Sequence, residues 1–377
     1  MHKLAVARDQ LLALNVGMRT ALAAIGVAAC VLAADPPALA QFKNGNQTVL
    51  LNLPRVSQRA VVTQRIGLTD VTIVYHRPLV GGRKVFGDVV SYGRVWRAGA
   101  NDNTTIEFTD PVSVEGHPLP AGRYGVHMIP GPSEWTIAFS KNSTSWGSFS
   151  YDPKEDALRV TVKPAAGPLT EALTYQFTSL KPDGATIALA WDTVVIPFSL
   201  GVDTKAITLA SLRREMRHLP GFKSETFFEA ALYCVDNAFN YDEALQWIDK
   251  AIEMDEGFDN LDLKAQILER LGRGDEAAAT QAKALKTAAP EQLFSYGERL
   301  MREKGAGAAR TFFSQVTADH PEAWINWYGL AKAQSALGDR DGAKKTLESS
   351  AKYAVQPQHK AAVKRLLERL AAGQGIG

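Results

Sequence analysis

The sequence predicts an α+β chain of two domains, an antiparallel β-sandwich followed by an all-α helical-repeat solenoid. Three observations carry this. From about residue 57 to 200, apolar residues alternate with period two, in short runs rich in β-branched and aromatic side chains. Near Asp203 the period becomes helical, and Ala, Leu, Glu and Lys replace Thr and Pro. In the helical half a pattern recurs around Ala244, Ala277, Ala309 and Ala343, at steps of 33, 32 and 34 residues.

Residues 1–40 read as a targeting segment. Ala21 to Ala34 is an apolar run of 14 residues, short of the roughly 20 that a membrane-spanning helix needs. Asp35-Pro36-Pro37 stops any helix, and Ala38-Leu39-Ala40 supplies an A-x-A cleavage signal before Gln41. Arg19 provides the positive flank. Met1 to Gly17 carries Asp9 and delays that charge, so Met18 reads as the start. A second reading stays open: Val27-Ala28-Ala29-Cys30 resembles a lipoprotein box with Cys30 as the anchored residue. Both readings put the mature protein in the periplasm or outside the cell, with a sandwich domain over 41–203 and a repeat domain over 204–377.

The whole chain of 377 residues is 46% apolar and 22% charged, with a formal net charge of +2. That balance gives no electrostatic case for nucleic acid, and no membrane span is expected. Cleavage before Gln41 leaves Cys234 as the one cysteine, in a helical apolar pattern, where it reads as a small buried hydrophobe.

Strands are expected at Val71–Tyr75, Thr104–Phe108, Trp135–Phe139, Leu158–Val162, Leu173–Phe177, Thr186–Trp191 and Val194–Phe198. Turn signals separate them at Glu115-Gly116, Pro120-Ala121-Gly122, Pro130-Gly131-Pro132 and Pro182-Asp183-Gly184. In the helical half, a small residue at each reference alanine lets two antiparallel helices approach closely. Gly272 and Gly338, five positions earlier in their units, end the first helix with a left-handed turn. Ile248, Phe313 and Leu347 pack on the next unit. A further helix over Thr208 to Leu219 is expected to cap the array or dock it on the β-domain. Period and residue types together resemble the tetratricopeptide repeat, and that resemblance implies four stacked helix pairs and a protein partner.

The β-domain resembles the family called domain of unknown function 2911. Four ordered blocks carry the resemblance: Gln64–Ile73 leading into Tyr75-His76-Arg77-Pro78 and Gly82–Gly87; Tyr92–Asn101; Leu119–Tyr124 with Ile129-Pro130-Gly131 and Trp135; and Trp146-Gly147 with Tyr151-Asp152. The resemblance implies a fold and a place outside the cytoplasm, but no reaction.

No His-Glu-x-x-His, Gly-x-Ser-x-Gly or Walker pattern is present. His76, His117, His127, His218, His320 and His359 lack metal-ligand spacing, so no cofactor or metal is expected. The segment Tyr75–Asn103 concentrates candidate ligand-binding residues: Tyr75, Arg77, Arg83, Trp96, Arg97 and Asn101. Planar guanidinium groups and an indole suit a small anionic or sugar-like ligand. Equally, Arg77, Arg83 and Arg97 would pin the loop by pairing with Asp88, Asp102 or Asp152, and Trp96 and Trp146 would be core. A non-enzymatic binding or scaffold protein is the leading reading. The alternative is a hydrolase or carbohydrate-active enzyme with its site in Tyr75–Asn103, where Asp102 and Asp152 are the available carboxylates.

The resemblance to tetratricopeptide repeats implies that each first helix lines a groove. Counting from the reference alanines places Glu229, Tyr233, Asp236, Asp259, Asp262, Gln266 and Glu269 there in units one and two, and Tyr328 and Lys332 in unit four. The front of the groove is therefore expected to be acidic and to dock a basic segment.

Overall fold

The computed structural model describes residues 54–376. The expected targeting segment, its expected cleavage site and Cys30 lie outside the described residues. Ten strands form two antiparallel sheets. The larger has the order β1–β2–β3–β6–β7–β8, made of Gln58–Ile66, Thr69–Arg77, Thr105–Phe108, Gly122–Ile129, Trp135–Ser140 and Asp156–Val162. The smaller has the order β5–β4–β10–β9, made of His117–Leu119, Val112–Val114, Gly184–Val202 and Ala165–Lys181. One apolar core joins them. β2 and β3 supply Val71, Ile73, Ile106 and Phe108, and β10 answers with Ile187, Leu189, Ile196 and Phe198. The alternation of buried and less buried residues along β2 is the sandwich pattern the sequence carries.

The expected strands Thr186–Trp191 and Val194–Phe198 prove to be one strand, β10. Asp192, which interrupts the apolar pattern, sits at a bulge with φ 56° and shifted pairing to β9. The extra residues lie on β9, which advances from Thr174 to Thr170 while β10 advances only from Ala190 to Asp192, and the irregularity bends the pair without ending β10. Likewise Leu173–Phe177 is the middle of the 17-residue β9.

At Val202 the sheet ends, and the Asp203 side chain accepts from the Ala206 N–H at 3.0 Å to cap helix α1, Thr204–Glu215. The helix thus starts and ends four residues before the expected Thr208–Leu219. A 3-10 turn at Leu219–Phe222 follows. Ile207 of α1 packs on the β-core, while Leu209 and Leu212 pack on the first helical core.

The array is α2 (Ser224–Asp236) and α3 (Tyr241–Met254), α4 (Phe258–Arg270) and α5 (Gly274–Leu285), α6 (Pro290–Lys304) and α7 (Ala306–Asp319), and α8 (Trp324–Ala336) and α9 (Arg340–Ser350), closed by α10 (Pro357–Ala371). The reference residues Ala244, Ala277, Ala309 and Ala343 are all buried, as close helix approach requires. Gly272 and Gly338 have φ of 75° and 82°, the left-handed turns expected of them. Cys234 is buried, and burial pushes its thiol up to about 11.

The third unit, the least regular in sequence, has its own lock. The fully buried Phe313 ring of α7 lies against Gly297 of α6 and Gly329 of α8, and a Cβ at either glycine would collide with it. Alanine at position 297 or 329 should lower stability by about 1–3 kcal/mol, although alanine is worth about 1 kcal/mol more than glycine within a helix. Chemical denaturation of both variants checks this, and the loss should shrink when Phe313 is replaced by leucine in the same chain. Residues 41–203 and 204–377 are expected to fold as separate fragments with β and helical circular dichroism. An unfolded fragment would show that the Ile207 contact makes their cores interdependent.

Candidate functional site

The segment between β2 and β3 is pinned from within. Tyr75 is buried, with its ring edge-on to Tyr175 at 4.8 Å. Arg77 donates to the Leu173 carbonyl at 2.9 Å and to Thr174 Oγ1 at 2.7 Å. Arg83 donates to the carbonyls of Val80 and Leu79. Both arginines are thus spent on main-chain and hydroxyl oxygens rather than on an open cavity, and Asp88 and Asp152 are not their partners in these contacts. Asp152 instead accepts from the Lys154 N–H at 3.0 Å and opens a 3-10 turn.

Trp96 pairs through its backbone with Met128 and extends the edge of β6. Its indole stacks on Trp191 at 5.9 Å and meets Phe86 and Trp135 edge-on. Rings of this size each bury about 150–250 Å², so this cluster is core. Ala98 and Asn101 are left-handed, with φ of 51° and 57°. The Ala98 carbonyl accepts from both Thr104 Oγ1 and Tyr175 Oη, which holds the strained turn in place.

Arg97 differs from the other two arginines. Nη1 donates to the Asn101 carbonyl at 2.9 Å, and the guanidinium lies 5.3 Å from the Trp146 ring centroid. Burial lowers its pKa, opposed by the nearby Asp102 carboxylate. Trp146 stacks with Phe149 at 5.9 Å and 11°. These rings are 54% and 83% exposed, respectively, so Trp146 is surface where Trp96 is core. Of the six predicted ligand residues, Arg97 and Asn101 adjoin this surface; Tyr75 is interior, Trp96 packs half-buried against the core, and Arg77 and Arg83 brace the loop. Phe149 escaped the sequence reading because a lone Phe in a short loop has no periodicity to mark its exposure.

On the first-helix face, Glu229 and Asp236 of α2 are exposed and Tyr233 is half-buried against Phe239. In α4 the acids are matched by α6. Asp262, buried, takes a two-pronged ion pair from Arg299. Glu269 faces Lys304 at 3.6 Å, and Asp259 accepts from Gln292 at 3.2 Å. Gln266 donates to Asp262, and Lys332 of α8 pairs with Glu298 of α6. The acidic face expected across units one and two therefore survives as open charge at α2, while in α4 it is largely neutralised by residues one repeat later.

Behind the Trp146 loop lies a polar network that runs from the buried His127 to the exposed Arg159. His127 Nδ1 is 2.8 Å from Ser148 Oγ, and its ring packs 4.7 Å from Tyr151. Tyr151 Oη donates to Asp156 at 2.6 Å, and Arg159 binds both. Burial and the Asp156 hydrogen bond push the Tyr151 pKa up to about 12. Burial lowers the His127 pKa from 6.5 to about 4, with the Asp156 carboxylate opposing. A histidine kept neutral in the fold but protonated when unfolded costs stability as pH falls. The contribution is complete above about 6.5 and shrinks as pH drops towards 4, by up to roughly 3 kcal/mol at about 1.4 kcal/mol per unit. Urea unfolding of the wild type and His127→Gln between pH 7.5 and 4.5 at fixed ionic strength should show the steeper acid loss in the wild type.

Solved structures similar to this chain include PilF of Pseudomonas aeruginosa, at 19% identity and TM-score 0.26, covering 41% of this chain and 77% of that one. YrrB, described as a tetratricopeptide-repeat protein with an unusual peptide-binding site, matches at 19% identity and TM-score 0.26, covering 42% and 86%. Yeast Tom70 matches at 17% identity and TM-score 0.23, covering 43% and 42%. No curated protein gives a match. Among protein families, residues 57–200 match the model described as a protein of unknown function, DUF2911, and residues 300–370 match a tetratricopeptide-repeat model.

Proposed function

We propose that this is an exported binding and scaffold protein without catalytic activity, whose helical array docks a protein partner while its β-domain recognises a ligand or envelope component. The observation that carries the reading is the array of four helix pairs, in which α2 packs on α4, α6 packs on α8 and Arg299 of α6 pairs with Asp262 of α4, together with a tetratricopeptide match over its last part. Such repeats point to protein–protein interaction. Export is supported by the apolar run and the Ala38-Leu39-Ala40 signal. A mature N-terminus at Gln41, read by N-terminal sequencing of protein from the cell envelope, is the expected result; a lipidated Cys30 would replace it with an anchored form.

The exposed acids of α2 direct the docking test. Glu229→Lys with Asp236→Lys should reduce capture of the protein partner from envelope extract, and wild-type capture should weaken as salt rises above about 0.1 M, where exposed charges are screened beyond about 10 Å. Unchanged capture in both comparisons removes α2 as the docking face. Asp262→Lys is unsuited to this purpose, because it would leave Arg299 facing a like charge inside the array.

A second reading, a hydrolase, is favoured by the contact between Ser148 Oγ and a His127 that stays neutral at pH 7. A neutral imidazole at hydrogen-bond distance from a hydroxyl can accept its proton. That reading places the site in the 141–151 loop instead of Tyr75–Asn103. Labelling by a serine-directed fluorophosphonate that disappears in Ser148→Ala would establish it; absence of labelling in the wild type would remove it.

A further inference from the structure

We propose that the exposed pair Trp146–Phe149, with Arg97 and Asp102 beside it, binds a neutral saccharide that presents adjacent hydroxyls. The proposal rests on the reading that the β-domain recognises a ligand, and narrows that ligand to one chemical class.

Exposure singles out the pair. The β-domain buries Trp135 and Trp191 almost completely and half-buries Trp96, yet leaves Phe149 83% exposed and Trp146 54% exposed. The two rings are held nearly parallel, 11° apart. Gly147 between them has φ 74°, and a Cβ there would lie 2.6 Å from Arg97 Nη1 and 3.1 Å from the Phe149 ring. Only glycine lets the chain turn tightly enough to bring the guanidinium and both rings together.

The surroundings select the ligand. Lys141–Tyr151 otherwise carries Asn142, Ser143, Thr144, Ser145, Ser148 and Ser150. Aromatic rings and arginine also occur in protein interfaces, but here the two rings stand among hydroxyl and amide side chains rather than in a contiguous apolar patch. They match a pyranose, whose C–H face is apolar and whose rim is a ring of hydroxyls. Hydroxyls both donate and accept, and the site offers both functions: the Arg97 guanidinium donates, and the Asp102 carboxylate, 69% exposed, accepts. The same pair argues against an anion. Asp102 offsets the Arg97 charge, so a carboxylate or phosphate would gain little from Arg97 and be repelled by Asp102. Beneath the loop, the Asn103 N–H donates to the Ser145 carbonyl at 3.3 Å, tying the strained 98–103 turn to the platform.

The test is calorimetric titration of the full chain with neutral oligosaccharides (cellohexaose, maltohexaose and tetra-N-acetylchitotetraose), with an oligogalacturonate, and with inorganic phosphate. The expected result is binding of at least one neutral oligosaccharide, weakened at least about tenfold by Trp146→Ala and by Phe149→Ala. Trp146→Phe should recover much of the affinity, and Asp102→Asn should shift preference towards the oligogalacturonate. Both rings are exposed, so the alanine variants should keep the wild-type circular dichroism and melting temperature. The proposal is overturned if no neutral oligosaccharide binds, if Trp146→Ala binds as well as the wild type, or if the oligogalacturonate or phosphate binds more tightly than every neutral sugar. If no saccharide binds but an envelope component retained by the wild type is lost from Trp146→Ala/Phe149→Ala, the ligand class is wrong and recognition by the β-domain stands. If that component is retained undiminished, recognition at this surface falls as well.

Discussion

Burial of β10 is the interaction on which the rest of the described structure depends. This 19-residue strand pairs with β4 on one side and β9 on the other. It sends Ile187, Leu189, Trp191, Ile196 and Phe198 into the core shared with the larger sheet. Trp191 in turn stacks on Trp96, and that contact fixes the otherwise irregular Tyr75–Asn103 segment against the sandwich. At its far end β10 runs into Asp203, whose carboxylate caps α1 and starts the helical array. One strand therefore organises the sandwich, the loop that borders the aromatic surface, and the entry to the repeats.

The loop residues show how a rigid scaffold can brace most of a segment and leave a few side chains at the surface. Two of the three arginines are consumed in holding the segment to β9 and to its own turn, through Leu173, Thr174, Val80 and Leu79. Their donors satisfy carbonyl and hydroxyl oxygens that folding takes out of water. With that bracing in place, the left-handed turn at Ala98 and Asn101 presents Arg97 and Asp102 at the surface. The His127–Tyr151–Asp156 network does the same for the other wall, anchoring the loop that carries Trp146 and Phe149.

In the array, charge plays an internal role before any external one. Asp262 and Arg299 pair in a setting where Asp262 is 7% exposed; burial lowers the Arg299 pKa, and the hydrogen bonds to Asp262 together with the charges of Asp262 and Glu303 outweigh it, so the net shift is upward. The desolvation of such a pair largely cancels its attraction, so it links α4 to α6 without adding much net stability. It also redistributes the electrostatics of the face: the acids of α4 answer cations of α6, whereas the cations of α4 turn to α3, where Lys264 pairs with Asp249 and Arg270 lies over the Tyr241 ring, and so leave the acids of α2 open.

Features with a local cause were legible in the sequence. The repeat length, the buried reference alanines and the left-handed Gly272 and Gly338 follow from helix geometry and from the φ range that glycine alone adopts freely, and each is written within a few residues. The alternation that marks the sandwich is equally local. Tertiary structure decided what depends on residues far apart in the chain. It made Trp96 interior and Trp146 exterior, because the partners that bury Trp96 come from positions 86, 135 and 191. It carried β10 through Asp192, because pairing with β9 tolerates a bulge where the apolar pattern alone reads a break. It set Asp262 against Arg299, 37 positions later, because an ion pair leaves no periodic trace in either helix.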